Sequence, residues 1–166
     1  ETEKLLRRMT MAISMKLQEF LDGQGIEFDL LPHRHTYNSS STAEATHVPG
    51  DSLAKAVLLE DAQGYLMAVI PSTHRLNLAM LRSTLHRPLE LATEGELGEL
   101  FPDCELGAVP PLGNVFGLET VVELSLLNRP DIWFEAGDHE DVVHVAGSQF
   151  KHLLENAKRA HFSIHR

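Results

Sequence analysis

Residues 52–71, SLAKAVLLEDAQGYLMAVIP, constrain the fold more than any other stretch. Two aliphatic runs separated by AQG read as the arms of a β-hairpin turning near Gly64. Alternate side chains of a strand share a face, so Lys55 goes with Leu53, Val57 and Leu59, while Ala54, Ala56, Leu58 and Glu60 point the other way. Either face can be the buried one. Strand interiors are poor places for an ammonium. Lys55 is therefore either a snorkelling surface amine or a charge held in a pocket, where burial penalises it unless an anion or a developing oxyanion lies near.

The rest of the chain alternates single helices with short strands. Helical spacing of Leu5, Leu6, Met9, Ile13, Leu17, Phe20 and Leu21 predicts a helix over 3–22 stopped by Gly23. A strand is expected in IEFDLLPH (26–33), and a short helix in STAEATHV (41–48) with Ser41 or Thr42 as its cap. HRLNLAMLRSTL (74–85) reads as a helix, PLELA (88–92) as a strand, and TEGELGELF (93–101) as an acidic helix opened by Thr93. CELGAVPPLGNVFG (104–117) carries too many breakers for a regular element. Strands follow at TVVELSLL (120–127), DIWFEAG (131–137) and VVHVAG (142–147), then a closing helix SQFKHLLENAKRA (148–160) capped by Ser148. This order predicts a single α+β domain on a mixed sheet and not a doubly wound parallel one.

At 166 residues the chain can bury one real core. Its net charge of −10 argues against nucleic-acid binding driven by a general positive field, while leaving room for a local basic patch. No apolar run approaches the roughly 20 residues of a membrane span and no signal peptide is evident, so a cytoplasmic protein without a membrane partner is expected. Cys104 stands alone, which excludes an internal disulfide, and Asp103 and Glu105 on either side make it a poor nucleophile. The chain does not begin with Met. Residues 1–13 read as a helical extension or a linker from an upstream segment, and 14–166 as the domain.

No Walker loop, dinucleotide fingerprint, G-x-S-x-G elbow or H-E-x-x-H is present. His33 with His35, and His161 with His165, lack a third ligand at recognisable spacing, so neither metal nor cofactor is expected. GAVPPLG (107–113) makes a stiff turn that is either a rigid connector or a loop holding backbone N–H groups toward a ligand. In FEAGDHED (134–141), His139 is either a base or hydrogen-bond donor near neutral pH, or part of an ordinary polar turn whose acids would repel a phosphate.

Taken in order, STAEATHVPG, LAKAVLLED, GAVPPLG and WFEAGDHEDVVHVAGSQF resemble the YbaK/ProX family, the aminoacyl-tRNA editing domains related to the insertion domain of bacterial prolyl-tRNA synthetase. The likeness covers about residues 14–156. It implies an α+β domain on a curved mixed sheet surrounded by helices. It also implies hydrolysis of the ester between a wrongly attached amino acid and its tRNA, with water assisted by a hydroxyl of the terminal ribose. By this resemblance Lys55 matches the lysine that holds the tRNA end, and Gly107 with Pro111 matches the loop whose backbone anchors the aminoacyl group. Lys55 and Gly107 are then the catalytic positions, and Val109, Pro110 and Pro111 bind substrate. Ser40, Thr42, Met67 and Val69 are expected pocket walls. Glu135 and His139 are the nearest polar candidates by the last strands, where the family's histidine or arginine and aspartate have no aligned counterpart here, and Gly137 between them is a further expected substrate-binding position. The expected partners are the aminoacyl-tRNA 3′ end and a synthetase or fused domain supplying affinity that an acidic chain lacks. The alternative reading is a catalytically weak ligand-binding or regulatory module within a larger signalling protein, and a third is hydrolysis of a small non-tRNA ester.

Overall fold

The computed structural model describes residues 15–36, 38–105 and 107–166. Along the chain lie α1 (Met15–Gly23), β1 (Asp29–Pro32), α2 (Ser39–Thr46), β2 (Leu53–Asp61), β3 (Gly64–Pro71), β4 (His74–Leu76), α3 (Leu78–Leu85) and β5 (Glu90–Leu91). They are followed by α4 (Glu94–Leu100), β6 (Glu119–Glu123), β7 (Asp131–Glu135), β8 (Asp141–Ala146), α5 (Gly147–Leu153), β9 (Lys158–Ala160) and β10 (Ser163–His165). The extension expected at 1–13, and the first part of the helix expected over 3–22, lie outside the described residues.

The hairpin forms the middle of an 8-stranded mixed sheet in the order β1-β8-β7-β2-β3-β6-β9, with β5 also on β2. β2 and β3 pair antiparallel from Ala54↔Pro71 to Asp61↔Gly64, whereas β7 joins β2 and β6 joins β3 in parallel. Both faces of this hairpin are buried, which is why its alternation could not choose between them. Ala54, Leu58, Met67 and Val69 enter the largest core with Leu17 and Leu21 of α1, Phe101, Phe134 and Phe150. On the other face Leu59, Leu66, Ala68 and Ile70 pack with Leu81 of α3 and Phe162. Leu53 belongs to a third cluster with Val48 and Val142. Each fully buried leucine of this kind contributes roughly 1.5–3 kcal/mol.

Local capping explains where the helices start. Thr93 opens α4, as the sequence predicts, and makes a reciprocal capping box with Glu96. At α2 the cap is Asn38 and not Ser41 or Thr42: Asn38 Oδ1 accepts from Ser41 N at 2.8 Å, which moves Thr42 inside the helix. His74–Leu76, expected as the start of a helix, is instead strand β4, and α3 begins after Asn77 Oδ1 accepts from Met80 N.

The C-terminal helix is shorter than expected. It starts at Gly147, with no side-chain cap from Ser148, because Gly147 N donates to Pro130 O at 2.8 Å. It ends at Leu153, and the chain then adds β9 beside β6 and β10 beside β4. Glu123, 1% exposed, organises this turn-back by accepting from Phe162 N, Ser163 N and Ser163 Oγ on one carboxylate oxygen.

Candidate functional site

One edge of β2 is shared by two strands. β7 pairs with its beginning, Leu53↔Trp133 and Ala54↔Phe134, and β5 with its end, Leu59↔Leu91 and Glu60↔Glu90. Lys55 is the first residue past the β7 pairing, so it stands where the sheet opens. Its face carries Leu53 of the third cluster and Leu59 of the second, and Lys55 itself is half-buried. Among the described residues no carboxylate lies within ion-pair distance of it. Burial first, then the positive charge of Arg166, push its pKa below the ordinary lysine value.

The glycine–proline loop lies against the opposite face. Gly107 takes φ +80, a backbone region that favours glycine, while Ala108, Pro110 and Pro111 are buried. Gly107 and Val109 meet Ala56, Leu58, Met67 and Phe101 around a cavity of about 220 Å³. Just before the loop, Glu105 N donates to Gly137 O at 2.7 Å and Glu105 Oε2 lies 2.8 Å from His35 Nε2. The loop is thereby fastened to the turn between β7 and β8.

That turn is buried, against the expectation for so charged a segment. Asp138, His139 and Asp141 are 7%, 2% and 4% exposed. Thr42 of α2 donates to Glu135 Oε1 at 2.5 Å and shares a 2.7 Å hydrogen bond with Thr36. His33 Nε2 and His139 Nδ1 flank the same oxygen at 3.7 and 3.6 Å, too far for hydrogen bonds. Glu135 Oε2 and His33 Nε2 are buried without a hydrogen-bond partner. Asp138 Oδ1 accepts from the backbone N–H groups of Glu140 and Asp141. Burial, then the adjoining Asp138 carboxylate, push the Asp141 carboxyl up to about 7. No group of three or more His, Cys, Asp or Glu side chains among the described residues has metal-holding geometry.

A sequence model of the aminoacyl-tRNA editing domain matches residues 33–153, well over half of the chain. The chain belongs to this family. Solved structures resemble the editing domain throughout. A protein described as a candidate trans-editing enzyme for prolyl-tRNA synthetase superposes with TM-score 0.78 at 21% identity, over 90% of this chain and 95% of that one. A candidate signal transduction protein from Marinobacter aquaeolei VT8 superposes with TM-score 0.75 at 22% identity over 92% of this chain, which spans only 31% of that protein. At such identities these likenesses establish the fold. No curated protein matches the sequence.

Within the editing domain the expected site residues fall into separate groups. Thr42, Glu135 and His139 come together under α2, whereas Gly107, Val109 and Met67 share the cavity on the far face. Gly137 links the two through Glu105, and Pro110 and Pro111 are buried in the loop. Val69 is a core residue with no exposed surface. Ser40 lines a second opening, of about 440 Å³, with Gly50, Ser72, Thr73 and Arg166. Arg166 of this last group is near enough to Lys55 to act on its charge. Sequence reasoning considered His33 only as a metal ligand and missed its place beside Glu135, and it assigned Arg166 no role. Nothing local signals either, since both depend on long-range strand pairing.

Proposed function

We propose that this editing domain hydrolyses the ester of a mischarged aminoacyl-tRNA in trans. The observation that carries the reading is Lys55, a half-buried ammonium with no carboxylate partner among the described residues, at the opening of the central sheet. Such a charge suits a phosphate or a developing oxyanion. Water adds to the ester carbonyl, assisted by a hydroxyl of the terminal ribose, and a tetrahedral oxyanion forms. Lys55 holds a phosphate of the tRNA end, and backbone N–H groups near Gly107 stabilise the oxyanion more than they stabilise the neutral ester, which is what lowers the barrier. The carbon–oxygen bond to the ribose then breaks, the ribose oxygen regains a proton and the amino acid leaves as its carboxylate. No side-chain nucleophile is needed. Val109 and Met67, beside Gly107 on the cavity wall, sort the amino-acid side chain by size. Such a role is cytoplasmic and draws on a synthetase or a fused domain for affinity; no helix among the described residues is long and apolar enough to cross a membrane.

The test is deacylation of a panel of purified aminoacyl-tRNAs, including alanine and cysteine on the proline tRNA, by the wild type and by Lys55→Ala. Selective loss of one mispaired ester, abolished in the variant, supports editing. No hydrolysis above background by a folded protein overturns it. A regulatory ligand-binding module is the second reading, favoured by the likeness to a longer signal transduction protein of which this chain spans 31%.

A further inference from the structure

Residues 158–166 lie beyond the span matched by the family, yet they bring a second cation to Lys55. Lys55 pairs across the hairpin with Ile70, and two residues further on Ser72 N donates to Leu53 O. Ser72 is therefore a diagonal neighbour of Lys55 on the same face. Arg166 Nη2 donates to Ser72 O at 3.1 Å, and Arg166 N donates to Thr73 O at 2.9 Å. The position is built rather than incidental: β10 pairs with β4 from Ser163↔Leu76 to His165↔His74, and the Glu123 carboxylate holds Ser163 from below.

We propose that Lys55 and Arg166 form a two-cation seat for a phosphodiester of the substrate's 3′ end, an assignment that rests on the deacylase reading above. Neither cation has a carboxylate within ion-pair distance among the described residues. Of the nearby acids, Asp51 is engaged by Thr73 and lies 3.3 Å from His165, and Glu44 is exposed at the rim of the adjoining opening. Two uncompensated like charges on a chain of net charge −10 repel each other until an anion sits between them. An arginine fork beside a lysine point charge suits a phosphate, and the opening of about 440 Å³ that Arg166 lines gives access from that side.

The test is binding of the trinucleotide CCA at several salt concentrations by the wild type, Arg166→Ala, Arg166→Lys and Lys55→Ala, with adenosine as the phosphate-free control. Each alanine variant should bind CCA about 5–10-fold more weakly at low salt and lower the salt slope by about 0.7, the single-strand value per phosphate contact. Arg166→Lys should recover part of the loss, and adenosine should not distinguish the proteins. An unchanged slope in Arg166→Ala, with thermal unfolding like the wild type's, overturns the seat, as does absence of CCA binding by the wild type. If binding behaves as expected while the deacylation panel is blank, the seat stands and the hydrolase reading falls; the reverse result does the opposite.

Discussion

A single buried carboxylate oxygen, Oε1 of Glu123, accepts from both the backbone N–H and the hydroxyl of Ser163, at 2.9 and 2.7 Å, across 40 residues of sequence. Phe162 N donates to the same oxygen, and His161 and Ser125 N reach Oε2. Burial alone would push this carboxyl up, but the hydrogen bonds outweigh it and hold its pKa below the ordinary value.

Glu123→Ala leaves buried N–H groups without their acceptor, and should cost about 2–4 kcal/mol in urea unfolding. The pH dependence has a definite sign. A depressed folded pKa contributes stability that is present above the unfolded value, about 4.3, and lost as pH falls through the folded one. Glu123→Gln should accordingly flatten the acid limb of the stability profile below about pH 4.

Asp141 behaves in the opposite sense. Its carboxyl is pushed up to about 7, so its contribution is intact below the unfolded pKa and is lost as pH rises through the folded value. Wild-type stability should therefore decline between about pH 4 and pH 8, and Asp141→Asn should remove much of that decline. We expect the variant to be more stable at pH 8 by on the order of 1–3 kcal/mol, read from denaturant midpoints at pH 5 and pH 8.

Lys55→Ala should leave the unfolding midpoint nearly unchanged and lower kcat/KM for deacylation by about 100-fold, the cost of a substrate whose phosphate end is no longer held in register. The depressed lysine pKa adds a second signature. Activity should fall on the alkaline side at a pH below the ordinary lysine range, and Lys55→Arg, which cannot lose its proton there, should abolish that limb.

Gly147→Ala tests the seat of α5. A Cβ at this position would fall 2.0 Å from Arg129 O and 3.2 Å from Pro130 O, both backbone atoms with little room to yield. Destabilisation of about 1–3 kcal/mol is expected, seen as a lower thermal midpoint.

The hairpin, the capped α4 and the glycine–proline loop were legible because each is specified locally, by aliphatic runs, by Thr93 with Glu96, and by Gly107, Pro110 and Pro111. Lys55's surroundings were not legible, since alternation cannot rank two faces that are both buried. The acids of 138–141 resembled a solvated turn; only the packing of α2 and residues 33–36 over them makes the turn interior. β9 and β10 carry too little apolar pattern to be read as strands. Their order comes from a glutamate on β6 whose hydrogen bonds no nearby residue announces.

The parallel joins of β7 to β2 and of β6 to β3, and the Arg166–Ser72 bond spanning 94 residues, have a temporal meaning. Contacts so distant in sequence form late, because loop closure must be met before they reward it. The hairpin is local and can assemble early. A chain that has formed the hairpin but not yet docked β10 against β4 would therefore present Lys55 without Arg166 beside it, so the phosphate seat is completed in a late folding step.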